Sequence, residues 1–147
     1  MSNPYDIIQK ADIETAIKAA EIDTSGEIRV HIEERCPEEV LDRAAFVFSE
    51  LEMQTTALRN GVLIYLSLAD HKFAIIGDAG INAKVPANFW ESTAELMKLH
   101  FSKREITQGI CAGIIEAGKQ LKNYFPYHAA DKNELSNEVT FGNPTAS

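Results

Sequence analysis

Hydrophobic and polar residues follow two different periods along this chain, and together the periods predict a mixed α/β fold. Glu27–Glu33 alternates strictly and predicts a half-buried strand whose polar face carries four ionisable side chains. Residues 61–68 are almost continuously apolar, as is typical of a central strand covered on both faces. Residues 73–76 predict a third strand that returns across the short Asp70-His71 turn. Apolar residues at helical spacing predict helices at about residues 4–21, 37–53, 86–97 and 103–121.

The order of these elements predicts the topology of the sheet. A strand, a helix and a strand form a crossover unit, so we expect the first strand to lie parallel to the second. The third strand is antiparallel to the second because the loop between them is short. We therefore predict a three-layer α/β/α sandwich, with a mixed sheet of about three to four strands (a βαββ core) and about four helices.

One domain is expected over residues 1–126, because 147 residues with 45% hydrophobic content suffice for a single core. Residues 127–147 are mostly small and polar and predict a flexible C-terminal tail, in which residues 138–141 can add a short edge strand. Cys36 and Cys111 are too few for a disulfide framework and are expected to be free thiols.

Charge and hydropathy narrow the classes of partner. The formal net charge of -8 disfavours nucleic acid, whose binding needs clustered Lys and Arg, and it favours cations. No segment approaches the roughly 20 apolar residues of a membrane helix, and the N-terminus lacks the pattern of a secretion signal. We therefore expect a cytoplasmic protein without membrane insertion. We also expect it to be a monomer.

The strand directions bring three segments to one end of the sheet and predict a candidate site there. Glu27 begins the first strand, Asn60 precedes the second, and Asp78 follows the third. Carboxylate and amide oxygens suit a hard cation, so we predict that these residues hold Ca²⁺ or Mg²⁺. The alternative is that Asn60 and Asp78, each beside glycine, are ordinary turn residues, and that Glu27 is only a solvated strand residue.

A rival site lies at the other end of the sheet, where Glu33 and Glu34 finish the first strand and Asp70 lies in the hairpin turn. Open α/β sheets usually bind ligands at the carboxyl ends of parallel strands, which favours this end. His31 and Glu33 share one strand face and offer a nitrogen and an oxygen, but no third partner is identifiable. Ordinary turn chemistry and an ordinary polar strand face explain both features, so we rank this end second.

The segment from Arg59 to Ile81 resembles the signature of the TPM domain family. Its matching features are, in order, Asn60-Gly61-Val62-Leu63, Ser67, Asp70-His71-Lys72 and an apolar strand ending in Gly77. The resemblance spans roughly residues 25 to 125. This sequence departs from many relatives, which carry a signal segment and a membrane anchor, and we therefore expect a stand-alone member. The family includes photosystem II repair factors, a protein linked to acid phosphatase activity and a receptor modulator, and some members are reported to bind divalent cations.

Two functions follow from this resemblance. The favoured hypothesis is a non-enzymatic accessory or interaction module that binds a divalent cation and an unidentified protein partner. The alternative is a metal-assisted phosphatase acting on phosphomonoesters, with Asp78 or Asp70 at the metal. The sequence offers no phosphate clamp, since Arg59 is the only basic residue near the favoured end, and no catalytic residue can be assigned.

Overall fold

The computed structural model describes residues 3–128 and 133–144. Its strands are β1 (Glu27–Glu33), β2 (Gly61–Ser67), β3 (Lys72–Gly77) and β4 (Thr140–Phe141). Its α-helices are α1 (Lys10–Ala20), α2 (Val40–Glu50), α3 (Ala79–Asn82), α4 (Glu91–Ser102) and α5 (Ile106–Leu121). Two short 3₁₀ helices precede α1 and β2, at Pro4–Ile7 and Met53–Thr55. In the described part of the chain, no helix is both long and apolar enough to cross a membrane.

The four strands form one mixed sheet in the order β3-β2-β1-β4. β1 lies parallel to β2 and to β4, whereas β2 and β3 are antiparallel. The predicted α/β fold and its mixed sheet are therefore confirmed. The α2 crossover supplies the parallel connection, which a short loop cannot make.

Apolar side chains cover both faces of the sheet, which gives the predicted three layers. Ile28, Val30 and Ile32 of β1 pack with residues of α1, α4 and α5 in the larger core. Leu63 and Tyr65 of β2 face the other way and pack with residues of α2 and with Met53 in a smaller core.

The polar face of β1 is more buried than the alternating sequence predicts. Glu27, His31 and Glu33 are each at most 3% exposed, although the alternation indicated a half-buried strand. The second face of β1 is covered from elsewhere in the chain, by Arg43 of α2 and by residues 135 and 140 of the C-terminal segment. Strand period alone does not reveal such a cover, because it reports only how the side chains of the strand itself alternate.

Helix bounds differ most from the prediction in the first and third predicted helices. The first predicted helix is divided into a 3₁₀ turn and α1, and the third begins at Glu91, with the additional short helix α3 before it. The structure thus has five α-helices within the described residues, against about four predicted. Extra turns of this kind depend on loop geometry more than on the hydrophobic period.

The C-terminal segment differs most from the prediction. Residues 133–144 belong to the predicted flexible tail, yet they pack on the domain, with Leu135 and Val139 buried and β4 paired with β1. Thr140–Phe141 forms the short edge strand considered for residues 138–141. The free edge of β1 offers unpaired backbone groups, and this long-range pairing outweighs the polar composition of the segment. The tail residues at 129–132 and 145–147 lie outside the described residues.

Candidate functional site

The structure brings the three predicted ligand residues to one end of the sheet. Glu27 of β1 lies opposite Gly61 of β2 in the parallel register. The backbone N–H of Asp78 donates to the Gly61 carbonyl at 2.9 Å, and the N–H of Glu27 donates to the Asn60 carbonyl at 3.2 Å. Their backbones therefore form one row across three strands, although their side chains have different partners.

Asp78 is fully engaged within the protein. Its carboxylate accepts two hydrogen bonds from the Arg59 guanidinium, at 2.7 Å from Nε and 2.8 Å from Nη2. One of its oxygens also accepts the N–H of Ala79 at 2.7 Å, which caps α3. Such a bidentate pair neutralises the carboxylate and fixes its orientation. The geometry therefore assigns Asp78 to the connection between β3 and α3 and leaves neither oxygen free for a cation.

Gly80 allows the close chain approach that completes this corner. Its N–H donates to the Arg59 carbonyl at 2.9 Å. A Cβ at position 80 would lie 2.1 Å from the Leu58 carbonyl oxygen, so no larger residue fits without moving the backbone.

Glu27 has one engaged oxygen and one free oxygen. Oε1 accepts the N–H of Leu135 at 2.6 Å. Oε2 is buried and has no hydrogen-bond partner among the described residues. Burial raises the pKa of Glu27 to about 7, the Leu135 N–H opposes that rise, and the charges of Glu21 and Glu134 add to it.

Asn60 also keeps one buried oxygen without a partner. Its Nδ2 donates to the Ser25 carbonyl at 3.1 Å, an interaction that assigns the amide orientation. Its Oδ1 has no hydrogen-bond partner among residues 3–128 and 133–144, and the residue is only 1% exposed. Asn60 and Glu27 therefore each contribute an unsatisfied oxygen at this end of the sheet.

A cleft of about 240 Å³ opens beside Glu27, and a second carboxylate lines it. Glu21, Asn133 and Asn137 contribute acidic and amide groups to its wall, and Lys18 contributes a cation. Glu21 Oε2 accepts the N–H of Ile28 at 2.8 Å, and burial raises the pKa of Glu21 to about 7. Glu21 could not be predicted as a site residue from the sequence, because a residue just after a helix carries no pattern that indicates a sheet contact.

Within the described ranges, no group of three His, Cys, Asp or Glu side chains is arranged to hold a metal ion. Any cation at this end would therefore rely on two carboxylates supplemented by amide or carbonyl oxygens and water. Such mixed oxygen sets are ordinary for Ca²⁺ and Mg²⁺.

The rival end of the sheet is occupied by a buried ion pair. Glu33 accepts hydrogen bonds from Arg43 Nε at 2.9 Å and Nη2 at 2.6 Å, and from the Tyr65 hydroxyl at 2.6 Å. Burial opposes ionisation of Glu33, but these donors outweigh it and lower its pKa.

Asp70 accepts the N–H of Cys36 and the hydroxyl of Ser67, so it is a turn-stabilising residue. Glu34 donates its backbone N–H to the Tyr5 hydroxyl at 3.0 Å.

His31 belongs to the same buried network. Its Nδ1 lies 2.6 Å from the Thr140 hydroxyl, and its Nε2 lies 3.5 Å from Glu33 Oε2. Burial lowers the pKa of His31, and the charge of Glu33 opposes that change. Arg43 is not among the predicted site residues, although its spacing from Val40 and Val47 places it on the apolar stripe of α2. A charged residue on such a stripe is a signal for a buried ion pair.

Comparison with known proteins places the chain in a family. The TPM domain model matches residues 6–131. This chain belongs to the TPM domain family. The expected resemblance is therefore confirmed, and the match extends well beyond the signature between Arg59 and Ile81.

A solved structure supports the same assignment of fold. This TPM domain is similar to the BA42 protein of the psychrophilic bacterium Bizionia argentinensis, whose structure was determined by NMR, with 42% identity and a TM-score of 0.89. The similarity covers 97% of this chain and 100% of BA42. Among curated proteins, none matches this chain in sequence.

Proposed function

We propose that this TPM domain is a non-enzymatic module that binds a divalent cation, Ca²⁺ or Mg²⁺, with Glu27 as its central anionic ligand. The observation that carries the proposal is Glu27 Oε2, a buried carboxylate oxygen without a hydrogen-bond partner among the described residues. Burying an unpaired charge is costly, so this oxygen favours either a proton or a cation. A cation would satisfy the oxygen and leave the Leu135 contact at Oε1 in place.

The electrostatic surroundings of Glu27 favour a positive ion over a neutral ligand. The charges of Glu21 and Glu134 raise the pKa of Glu27, which means that they increase its affinity for a positive charge. A divalent cation competes with the proton for the same carboxylate, and the negative charges of both neighbouring acidic residues attract it.

The remaining ligands of the proposed site are oxygens. Asn60 Oδ1 is the second buried oxygen without a partner in the described chain, and Glu21 is the second acidic residue of the cleft. Ca²⁺ takes about six to eight oxygens and Mg²⁺ about six, with water completing either set. Asp78, which we predicted as a ligand, is outside the proposed set because Arg59 and the Ala79 N–H engage its carboxylate.

A cation at Glu27 would link the sheet to the C-terminal segment. Leu135 already contacts the Glu27 carboxylate through its N–H, and Asn133 and Asn137 line the same cleft. Binding would therefore stabilise the surface formed by residues 133–137 together with the start of β1. We propose this surface as the one that presents the module to a protein partner. The cytoplasmic location and the monomeric state stay predictions.

Phosphatase activity is the less supported hypothesis. Arg59, the basic residue expected near the site, is paired with Asp78, and Asp70 is hydrogen-bonded to Cys36 and Ser67. A metal-assisted phosphatase needs free groups to hold the phosphate and position the metal. Release of phosphate from an aryl phosphate by the wild type, with loss of that activity in Asp78→Asn, would favour the enzyme instead.

Calorimetric titration with CaCl₂ and MgCl₂ tests the proposal directly. The wild type is expected to bind at least one of the two ions, and Glu27→Gln to lose that binding, because Gln keeps the shape and the Leu135 contact but removes the charge. At ten times the dissociation constant, binding contributes about 1.4 kcal/mol. That corresponds to a rise in melting temperature of about 3–6 °C in a chain of this size, reversed by EDTA.

Asp78→Asn is the matched control, because it also removes one carboxylate from the same row of the sheet. We expect it to weaken the Arg59 pair and lower stability while leaving the cation dissociation constant unchanged. Equal cation affinity in Glu27→Gln and the wild type would refute the proposal. Loss of binding in Asp78→Asn alone would transfer the site to Asp78.

A further inference from the structure

A second cleft lies at the opposite end of the sheet from Glu27. It has a volume of about 340 Å³, within the range of small-molecule sites. Leu66, Phe73, Phe101 and Ile106 give it apolar walls, and the rings of Phe73 and Phe101 pack edge to face with centroids 5.3 Å apart. It lies between the turn that connects β2 to β3 and the connection from α4 to α5.

Two basic residues also line this cleft, and both hold a backbone conformation that glycine adopts more easily. His71 has φ of 55° and Arg104 has φ of 62°. A left-handed conformation costs a residue with a side chain about 1–2 kcal/mol. Arg104 ends α4 in the way glycine commonly does, with its N–H bonded to the Phe101 carbonyl at 2.9 Å. The positions favour glycine by backbone conformation, yet each carries a cationic or hydrogen-bonding side chain at an apolar cleft.

Neither side chain has a partner among the residues that the structure describes. Over residues 3–128 and 133–144, the side chains of His71 and Arg104 make no ion pair or hydrogen bond. The acidic residue beside each of them is engaged elsewhere. Asp70 accepts hydrogen bonds from Cys36 and Ser67, and Glu105 Oε1 lies 2.8 Å from His100 Nδ1. The donors at the cleft therefore remain available to an anion.

We propose that this cleft binds a small organic carboxylate with an aryl or branched alkyl body. The planar guanidinium of Arg104 is suited to bind a carboxylate through hydrogen bonds from two N–H groups, and His71 adds a third donor. The apolar walls accommodate the body of the ligand, which a free phosphate or sulfate ion lacks. Because this cleft and the Glu27 site lie at opposite ends of the sheet, the proposal does not depend on cation binding.

The test uses ¹⁵N-labelled full-length protein and two matched probes, 4-phenylbutyrate and its neutral analogue 4-phenylbutanamide. We expect the carboxylate to shift the backbone amide signals of Leu68, His71, Phe73 and Arg104, and to bind at least tenfold more tightly than the neutral amide. Equal affinities would overturn the proposal, as would shifts confined to other parts of the domain.

Two variants distinguish a direct contact between Arg104 and the ligand from a nonspecific effect of the protein's overall charge. Arg104→Gln is expected to weaken phenylbutyrate binding about tenfold or more, whereas Lys103→Gln removes the same charge from the neighbouring residue, which does not line the cleft, and should change nothing. Unchanged binding in Arg104→Gln would overturn the proposal. A tetrapeptide ending in leucine is the third probe, and tighter binding of this peptide than of phenylbutyrate would overturn the small-molecule assignment.

Discussion

The raised pKa of Glu27 predicts that this residue makes the protein less stable as the pH rises. An acid whose folded pKa lies above its unfolded value holds its proton longer in the folded state. Stability from that proton is fully present below about pH 4.5, the unfolded value, and is lost as the pH rises through the folded value of about 7. The direction is opposite to that of a salt-bridged carboxylate such as Glu33, whose pKa is lowered.

The magnitude follows from the size of the pKa shift. The pKa of Glu27 is raised from 4.5 to about 7, and each pKa unit corresponds to about 1.4 kcal/mol. Ionisation of Glu27 therefore lowers the free energy of unfolding by at most about 3 kcal/mol between pH 5 and pH 8. The pKa of Glu21 is also raised to about 7, so ionisation of Glu21 lowers the free energy of unfolding in the same direction. Glu27→Gln removes only the first contribution, because glutamine does not ionise.

Urea denaturation followed by circular dichroism at pH 5, 6, 7 and 8 measures this effect without added metal. The free energy of unfolding of the wild type is expected to fall more steeply with pH than that of Glu27→Gln. Glu95→Gln is the matched control, since Glu95 is an exposed residue of α4 and its loss should leave the wild-type slope intact. Ca²⁺ or Mg²⁺ at pH 8 should restore stability in the wild type and in Glu95→Gln, but not in Glu27→Gln.

Parallel pH profiles for the wild type and Glu27→Gln would refute this reasoning. Such a result would mean that Glu27 ionises with an ordinary pKa, and hence that its second oxygen is solvated. The cation proposal would then lose the observation on which it rests, even if the protein bound Ca²⁺ elsewhere.

Two further substitutions test the packing of the polar face of β1. Arg43→Met leaves the Glu33 carboxylate buried without its cation and should lower the free energy of unfolding by about 3–5 kcal/mol in urea denaturation. The double variant with Glu33→Gln should recover part of that loss. If the effects of the two single substitutions simply added in the double variant, the pairing would be contradicted. Leu135→Ala should cost about 2–5 kcal/mol and expose residues 133–144 to proteolysis, and unchanged stability would mean that this segment is not part of the folded unit.

The strands could be predicted from the sequence because their patterns are local. The alternation of Glu27–Glu33 and the apolar run that follows Asn60 fix which residues face a core, whatever covers them. The crossover rule then gave the parallel pairing of β1 with β2, because a helix separates them. This was enough to bring Glu27, Asn60 and Asp78 to one end of the sheet.

The partners of those three side chains could not be predicted in the same way. Asp78 is engaged by Arg59, which takes a left-handed backbone conformation, at φ of 51°, just before β2, and neither the conformation nor the pairing follows from the sequence pattern. Glu27 owes its buried, half-satisfied state to Leu135, which lies 108 residues further along the chain. A contact of that separation leaves no periodic signal in either segment.

By itself, the sequence determined the elements, the mixed sheet and the family, since each rests on residues that are close along the chain or on a contiguous motif. Only the tertiary structure decided which carboxylates are neutralised and which are left with a free oxygen. The physical reason is that ionisation and ligand binding depend on burial and on donors brought from distant segments. Arg59 satisfies Asp78 and Arg43 satisfies Glu33, whereas no cation within the described chain pairs with Glu27.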